Sequence, residues 1–132
     1  METFRTGAKV VRLNVNDDGY CVELNVSSDL WIKRFLDYAN EMYESEKKHT
    51  TGIGDDVDAQ IAALVALDED AKAGFKRLFG EESYEEVFGQ ELVGIEYVIE
   101  FLEACIPYVE KRIDHREKAM DKYSPDKTGG AR

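Results

Sequence analysis

The chain has 132 residues, 43% of them apolar and 11% aromatic, with a formal net charge of −11. That suits one compact domain and excludes two ordinary ones, and no apolar run reaches the ~20 residues that a membrane-spanning helix requires. Residues 1–54 carry 9 acids and 7 bases, residues 55–103 carry 14 and 3, and residues 104–132 carry 5 and 7, so the middle segment repels a phosphate backbone and no nucleic-acid binding is expected.

Residues 1–8 read as a loose lead-in. Val11, Leu13 and Val15 then alternate with polar residues, as do Tyr20, Val22, Leu24 and Val26, which predicts two half-buried strands over about 9–26. Asp18-Gly19 between them suits a two-residue type I′ turn. That turn pairs Val15 with Val22, Leu13 with Leu24 and Val11 with Val26, and places every apolar residue on one face. An isolated hairpin is marginal in water, so helices must cover this face.

Ser27 or Ser28 can cap a first helix over about 28–48, with Asp29 favourable at its positive end. Trp31, Phe35, Tyr38 and Met42 form its core stripe, widened by Leu30, Ile32, Leu36 and Ala39. The segment His49 to Gly54 reads as a loop. A second helix over about 56–79 places Val57, Ile61, Leu64, Ala71, Phe75 and Leu78 on one seam. Asp68 interrupts that seam, which predicts a break or bend near Leu67 to Asp70, and Gly74 weakens the helix by up to ~1 kcal/mol relative to Ala. Gly80 supplies a left-handed stop. Ser83 with Glu86 makes a capping box for a short helix over 83–88 that ends at Gly89.

The last helix is predicted over about 93–123. Leu92, Ile95, Ile99, Leu102, Ile106, Val109 and Ile113 recur at spacings of three and four, and only Met120 and Tyr123 continue in phase beyond Arg112, Arg116 and Lys118. The first half therefore reads as buried and the second as projecting, with a narrow seam suited to a partner helix. Pro107 lacks an amide donor and its ring crowds the carbonyl of Glu103, which predicts a kink. Residues 124–132, SPDKTGGAR, read as a disordered tail. The expected fold is α+β, mostly α: a single domain over 1–123 in which an N-terminal β-hairpin packs against three longer helices and one short one.

The search for chemistry predicts no enzyme. His49 and His115 stand in no metal-ligand spacing. Cys21 and Cys105 have no partner pattern that activates a thiolate, and no charged-then-apolar leader precedes the first strand, so free thiols in a cytoplasm are expected. Asp55, Asp56 and Asp58 lack the glycine and distal glutamate of a calcium loop and suit a helix N-terminus instead. Glu81, Glu82, Glu85 and Glu86 have no apolar pocket to raise a carboxyl pKa. No phosphate-binding glycine loop is present, and no cofactor or metal is expected. The expected contacts are with protein: Val109, Ile113, Met120 and Tyr123 as a seam for a partner or a homo-oligomer, with Phe79 and Phe88 as further candidates whose other role is to anchor the short helix.

The segments RLFGEESYEEVFG, VIEFLEACIPYVEKR and KYSPDK, following a hairpin and an aromatic helix, resemble small phage and prophage proteins of the tail assembly chaperone type. The resemblance covers residues 8–127 in layout, and its distinctive parts are the two Phe-Gly stops and IPYVEKR. It implies a non-catalytic helper in the cytoplasm of the bacterial host that coats the tape-measure protein and helps to recruit tail tube subunits. Two other classes fit the same sequence. One is a small acidic inhibitor or regulator that occupies a basic site on a host protein, and the other is a minor structural protein of the virion.

Overall fold

The structure, a computed structural model, describes residues 2–8, 10–49 and 56–123, without the side chains of His49 and Tyr123. It is mostly helical, with an N-terminal two-stranded antiparallel hairpin, β1 (Val11–Val15) and β2 (Tyr20–Leu24), followed by α1 (Asp29–His49), α2 (Val57–Phe79), α3 (Ser83–Phe88) and α4 (Ile95–Tyr123). Of the loop expected from His49 to Gly54, His49 closes α1 instead, and residues 50–54 lie outside the described residues, as does the tail at 124–132.

The hairpin keeps its predicted face and changes its register. Val15 pairs with Tyr20, Leu13 with Val22 and Val11 with Leu24, so the turn is four residues, Asn16 to Gly19, rather than the expected two. A slip of two residues leaves every side chain on its original face. The longer turn is held from outside the hairpin: Asn16 sits at φ 54, a left-handed conformation that Asn tolerates, and its amide donates to the carbonyls of Val87 at 3.0 Å and Glu86 at 3.5 Å. Val15, Val22 and Leu24 are buried, and Val26, just past β2, joins them in the core.

Ser28 caps α1, its hydroxyl accepting the Trp31 amide at 3.2 Å. Ile32, Phe35, Tyr38, Ala39 and Met42 are buried, whereas Leu30 and Leu36 are exposed and do not widen the core stripe. The indole of Trp31 donates to the carbonyl of Leu78 at 3.3 Å, and the hydroxyl of Tyr38 donates to that of Ala71. Seven residues forward on α1 match seven back on α2, so the two helices are antiparallel.

Asp56 caps α2, accepting the amides of Asp58 and Ala59. The helix runs through Asp68 without the expected break. Asp68 reaches out of the seam instead, and its Oδ1 accepts the amide of Ile95 at 3.0 Å, at the start of α4. Gly74 is buried and is no weak point: a Cβ there would strike the Tyr38 ring, with Cδ1 at 3.0 Å. Gly80, at φ 119, ends the helix. The expected capping box is absent, because Ser83 is the first helical residue of α3 and its hydroxyl donates to the Gly80 carbonyl at 2.6 Å. That bond satisfies both a buried hydroxyl and a carbonyl left over at the end of α2.

Phe75 is the hub of the core. Its ring centroid lies 4.6 Å from that of Phe79, 5.3 Å from Phe88, 5.4 Å from Phe101 and 5.8 Å from Tyr84. Offset and edge-to-face pairs of this kind contribute ~0.5–1.5 kcal/mol each beyond their buried area. α3 is only six residues long and could not persist alone; Tyr84 and Phe88 hold it to this cluster. Along α4, Ile95, Val98, Ile99, Leu102, Cys105 and Val109 are buried, and the helix continues through Pro107 to Tyr123.

Candidate partner-binding surfaces

α4 changes character after Val109. Val109 itself is 2% exposed and belongs to the core, so it is not a free contact as expected. One turn further on, Ile113 is 39% exposed, and Met120 is 59% exposed. The two share a face, being seven residues apart on a helix. The distal half is not wholly detached, because Nη1 of Arg116 lies 3.3 Å from Oδ2 of Asp29 at the start of α1. The Tyr123 side chain lies outside the described residues.

Phe79 and Phe88 are half-buried. Phe79 stands edge-on to Trp31 and Phe35, with centroids 6.0 and 6.5 Å away, and Phe88 lies 4.9 Å from Tyr84. Both are anchors of the aromatic cluster. Phe88 also lines an open groove between β1 and α4, together with Leu13, Val15, Tyr97 and Phe101 and a single acid, Glu100. β1 pairs only with β2 among the described residues, so an open strand edge runs beside this apolar groove. Sequence periodicity had no means of showing the groove, since it joins residues more than 70 positions apart.

A second surface was misplaced by the sequence. Val57, Ile61 and Leu64, expected in the core seam, are 65%, 54% and 39% exposed, and Val65 beside them is 41% exposed. Burial on α2 begins only at Leu67. The helix is simply longer than the layer it packs against. Its first ten residues, VDAQIAALVA, contain one charge in a chain that is 34% charged, and that was the available signal.

The acids do not all face solvent in the same way. On α3 a Glu85 carboxylate oxygen lies 2.7 Å from the Lys76 ammonium and 3.8 Å from that of Lys72. The hydrogen bond from Lys76 holds the Glu85 carboxyl below its ordinary range, and the same bond raises Lys76. Lys72 also lies over the Tyr84 ring, 5.2 Å from its centroid. Asp68, as described, serves α4.

Both cysteines are free thiols. Cys105 is fully buried, which pushes its thiol up to about 12, and Cys21 is exposed with its sulfur 3.1 Å from the Asn14 side-chain oxygen. Among the described residues no group of three or more His, Cys, Asp and Glu is placed to hold a metal ion, and no helix is long and apolar enough to cross a membrane. No protein-family model matches the chain, and no curated protein or solved structure gives a significant match.

Proposed function

We propose that this chain is a non-catalytic, cofactor-free helper of phage tail assembly, acting in the cytoplasm of the bacterial host. In this reading it binds the tape-measure protein, tail tube subunits or both while the tail is built. The observation that carries the reading is the distal half of α4: a helix that leaves the core after Val109 and still bears Ile113 and Met120 on one exposed face. A tape-measure protein is a long helical client, and an amphipathic helix offers it a groove-type contact through anchors at helical spacing. The segments around the two Phe-Gly stops and IPYVEKR supply the remaining support, through the resemblance in layout.

Co-expression with the tape-measure and tube proteins of the same phage or prophage tests it. The wild-type chain is expected to keep the tape-measure protein soluble and to be captured with it. Ile113→Glu combined with Met120→Glu is expected to lose that capture while the circular dichroism spectrum and melting temperature are retained. Capture that survives both substitutions would remove α4 from the proposal, and a wild-type chain that captures neither protein would remove the assembly role.

A further inference from the structure

We infer that the cleft between α4 and the open end of the hairpin binds a small phosphate monoester with an apolar body, Lys111 and Arg112 taking the phosphate and Tyr108 the body. The cleft has a volume of about 770 Å³. Its apolar lining includes Val11, Val26 and Tyr108, its polar lining includes Lys111, Arg112 and His115, and none of its lining residues is an acid. That size, with apolar walls and a few convergent polar groups, is the form of a small-molecule site.

Arg112 carries the argument. It is half-buried, and its Nε is shut off from solvent with no hydrogen-bond partner among the described residues. A guanidinium withdrawn from water needs its donors satisfied, and its planar fork matches the oxygens of an oxyanion. No acceptor among the described residues holds this one in place, so rotation about its terminal torsions can turn the Nε edge into the cleft. Neither Arg112 nor Lys111 makes an ion pair among the described residues. Asp29, at the start of α1, is taken by Arg116 at 3.3 Å, and Glu110 and Asp114 of α4 do not line the cleft.

Charge selects the ligand. Lys111 and Arg112 are two fixed cations, and a phosphate monoester brings about −1.5 to −2 at neutral pH where a carboxylate brings about −1. The net charge of −11 repels anions at a distance, but its reach is limited by a screening length of ~8–10 Å at ordinary salt. Residues 104–132, which supply the cations, carry 7 bases against 5 acids. Tyr108, Lys111, Arg112 and His115 fall within about 100° of one another around α4, and the centre of that sector lies about 140° from Ile113 and Met120. The site therefore occupies a different face from the client seam, and it stands or falls apart from the assembly role.

Titration of the isotope-labelled chain with phenyl phosphate, followed by amide chemical shifts, tests it. Saturable shifts are expected at residues 7–8, 26–27 and 108–115, with a Kd on the order of 1 mM or tighter. Inorganic phosphate lacks the apolar body and benzoate the second charge, and each is expected to bind at least ~10-fold more weakly. Arg112→Met keeps the apolar stem, and Lys111→Gln alters an exposed side chain; each is expected to weaken phenyl phosphate by ~10-fold or more with an unchanged melting curve. Should Arg112→Met fail to fold, Lys111→Gln alone gives the reading. Absence of saturable shifts would overturn the inference, as would shifts confined to other parts of the chain. So would inorganic phosphate or benzoate binding as tightly as phenyl phosphate, or folded variants that bind like the wild type.

Discussion

Asp68 on α2 accepts the Ile95 amide at the start of α4, across 27 positions of sequence. One helix thus caps another. Asp68→Ala removes the acceptor and is expected to cost ~0.5–2 kcal/mol, the range for losing an N-cap. Asp68→Asn keeps an acceptor oxygen and loses only the charge at the helix's positive end, a smaller cost of ~0.3–1 kcal/mol. Urea denaturation of the two variants checks the order. Equal loss from both would mean that charge, not the hydrogen bond, is what Asp68 supplies.

Gly74 offers a prediction whose sign runs against helix propensity. In a solvated helix Gly→Ala stabilises by up to ~1 kcal/mol, but the Tyr38 ring occupies the space of a Cβ at Gly74. Tyr38 cannot retreat without breaking its bond to the Ala71 carbonyl. Gly74→Ala is therefore expected to destabilise by ~1–3 kcal/mol through overpacking. A thermal melt reads the sign directly, and a higher melting temperature would refute the account.

These two residues also mark what the sequence could and could not disclose. The hairpin face, the four helices and the change of character within α4 were all legible, because alternation, helical spacing and glycine stops are local signals. Asp68 looked like a defect and Gly74 like a weakness, since their partners, Ile95 and Tyr38, lie on other helices. The seam of Val57, Ile61 and Leu64 was read correctly as one face, but periodicity does not say where the covering layer ends. Val109 shows the converse: it has the spacing of the projecting seam and the burial of the core. Of the candidate contacts, Ile113 and Met120 are exposed.

The buried thiol makes stability fall in alkali. Cys105 in the folded chain releases its proton only near 12, against ~8.5 in the unfolded chain. The folded state therefore binds the proton more tightly. Its contribution is complete below ~8.5 and is lost as pH rises from there towards the folded value. Burial also raises the Tyr38 phenol, which adds a second loss beginning near ~10. Urea midpoints are expected to fall between about pH 7 and about pH 10, and Cys105→Ala should flatten the part of that decline below the tyrosine range. A thiol reagent should find one reactive cysteine, Cys21, in the native protein and two after denaturation.

On the acid side the pair on α3 contributes. The Glu85 carboxyl is held below its ordinary value by the bond from Lys76, so its contribution is present above ~4.3 and is lost as pH falls through the lowered value. Lys76 is raised by the same bond, which extends its side of the contribution past ~10.4 in alkali. The protection of α3 amides, relative to their intrinsic exchange rates, is expected to fall as pH drops below about 4, and in Glu85→Gln to change little further across that range. An equal acid response in wild type and variant would assign the loss to other carboxylates.

The register of the hairpin is set by a side chain that belongs to its turn and bonds to α3. Asp18-Gly19 alone favours the two-residue turn that pairs Leu13 with Leu24, yet Leu13 pairs with Val22. The two registers differ by two residues and bury the same face, so hydrophobic burial does not separate them strongly. Asn16 does, by holding a left-handed backbone and donating to the Val87 carbonyl at 3.0 Å. Asn16→Gly keeps the backbone freedom and loses the donor, at a net cost of ~0.5–1.5 kcal/mol. Asn16→Asp also tolerates the backbone but turns a carboxylate towards two carbonyls, and is expected to cost more and to populate the two-residue turn. Cross-strand nuclear Overhauser contacts separate the outcomes: Leu13 near Val22 in the wild type, with Leu13 near Leu24 appearing in Asn16→Asp. Unchanged contacts and stability in that variant would mean that the turn residues hold the register without α3.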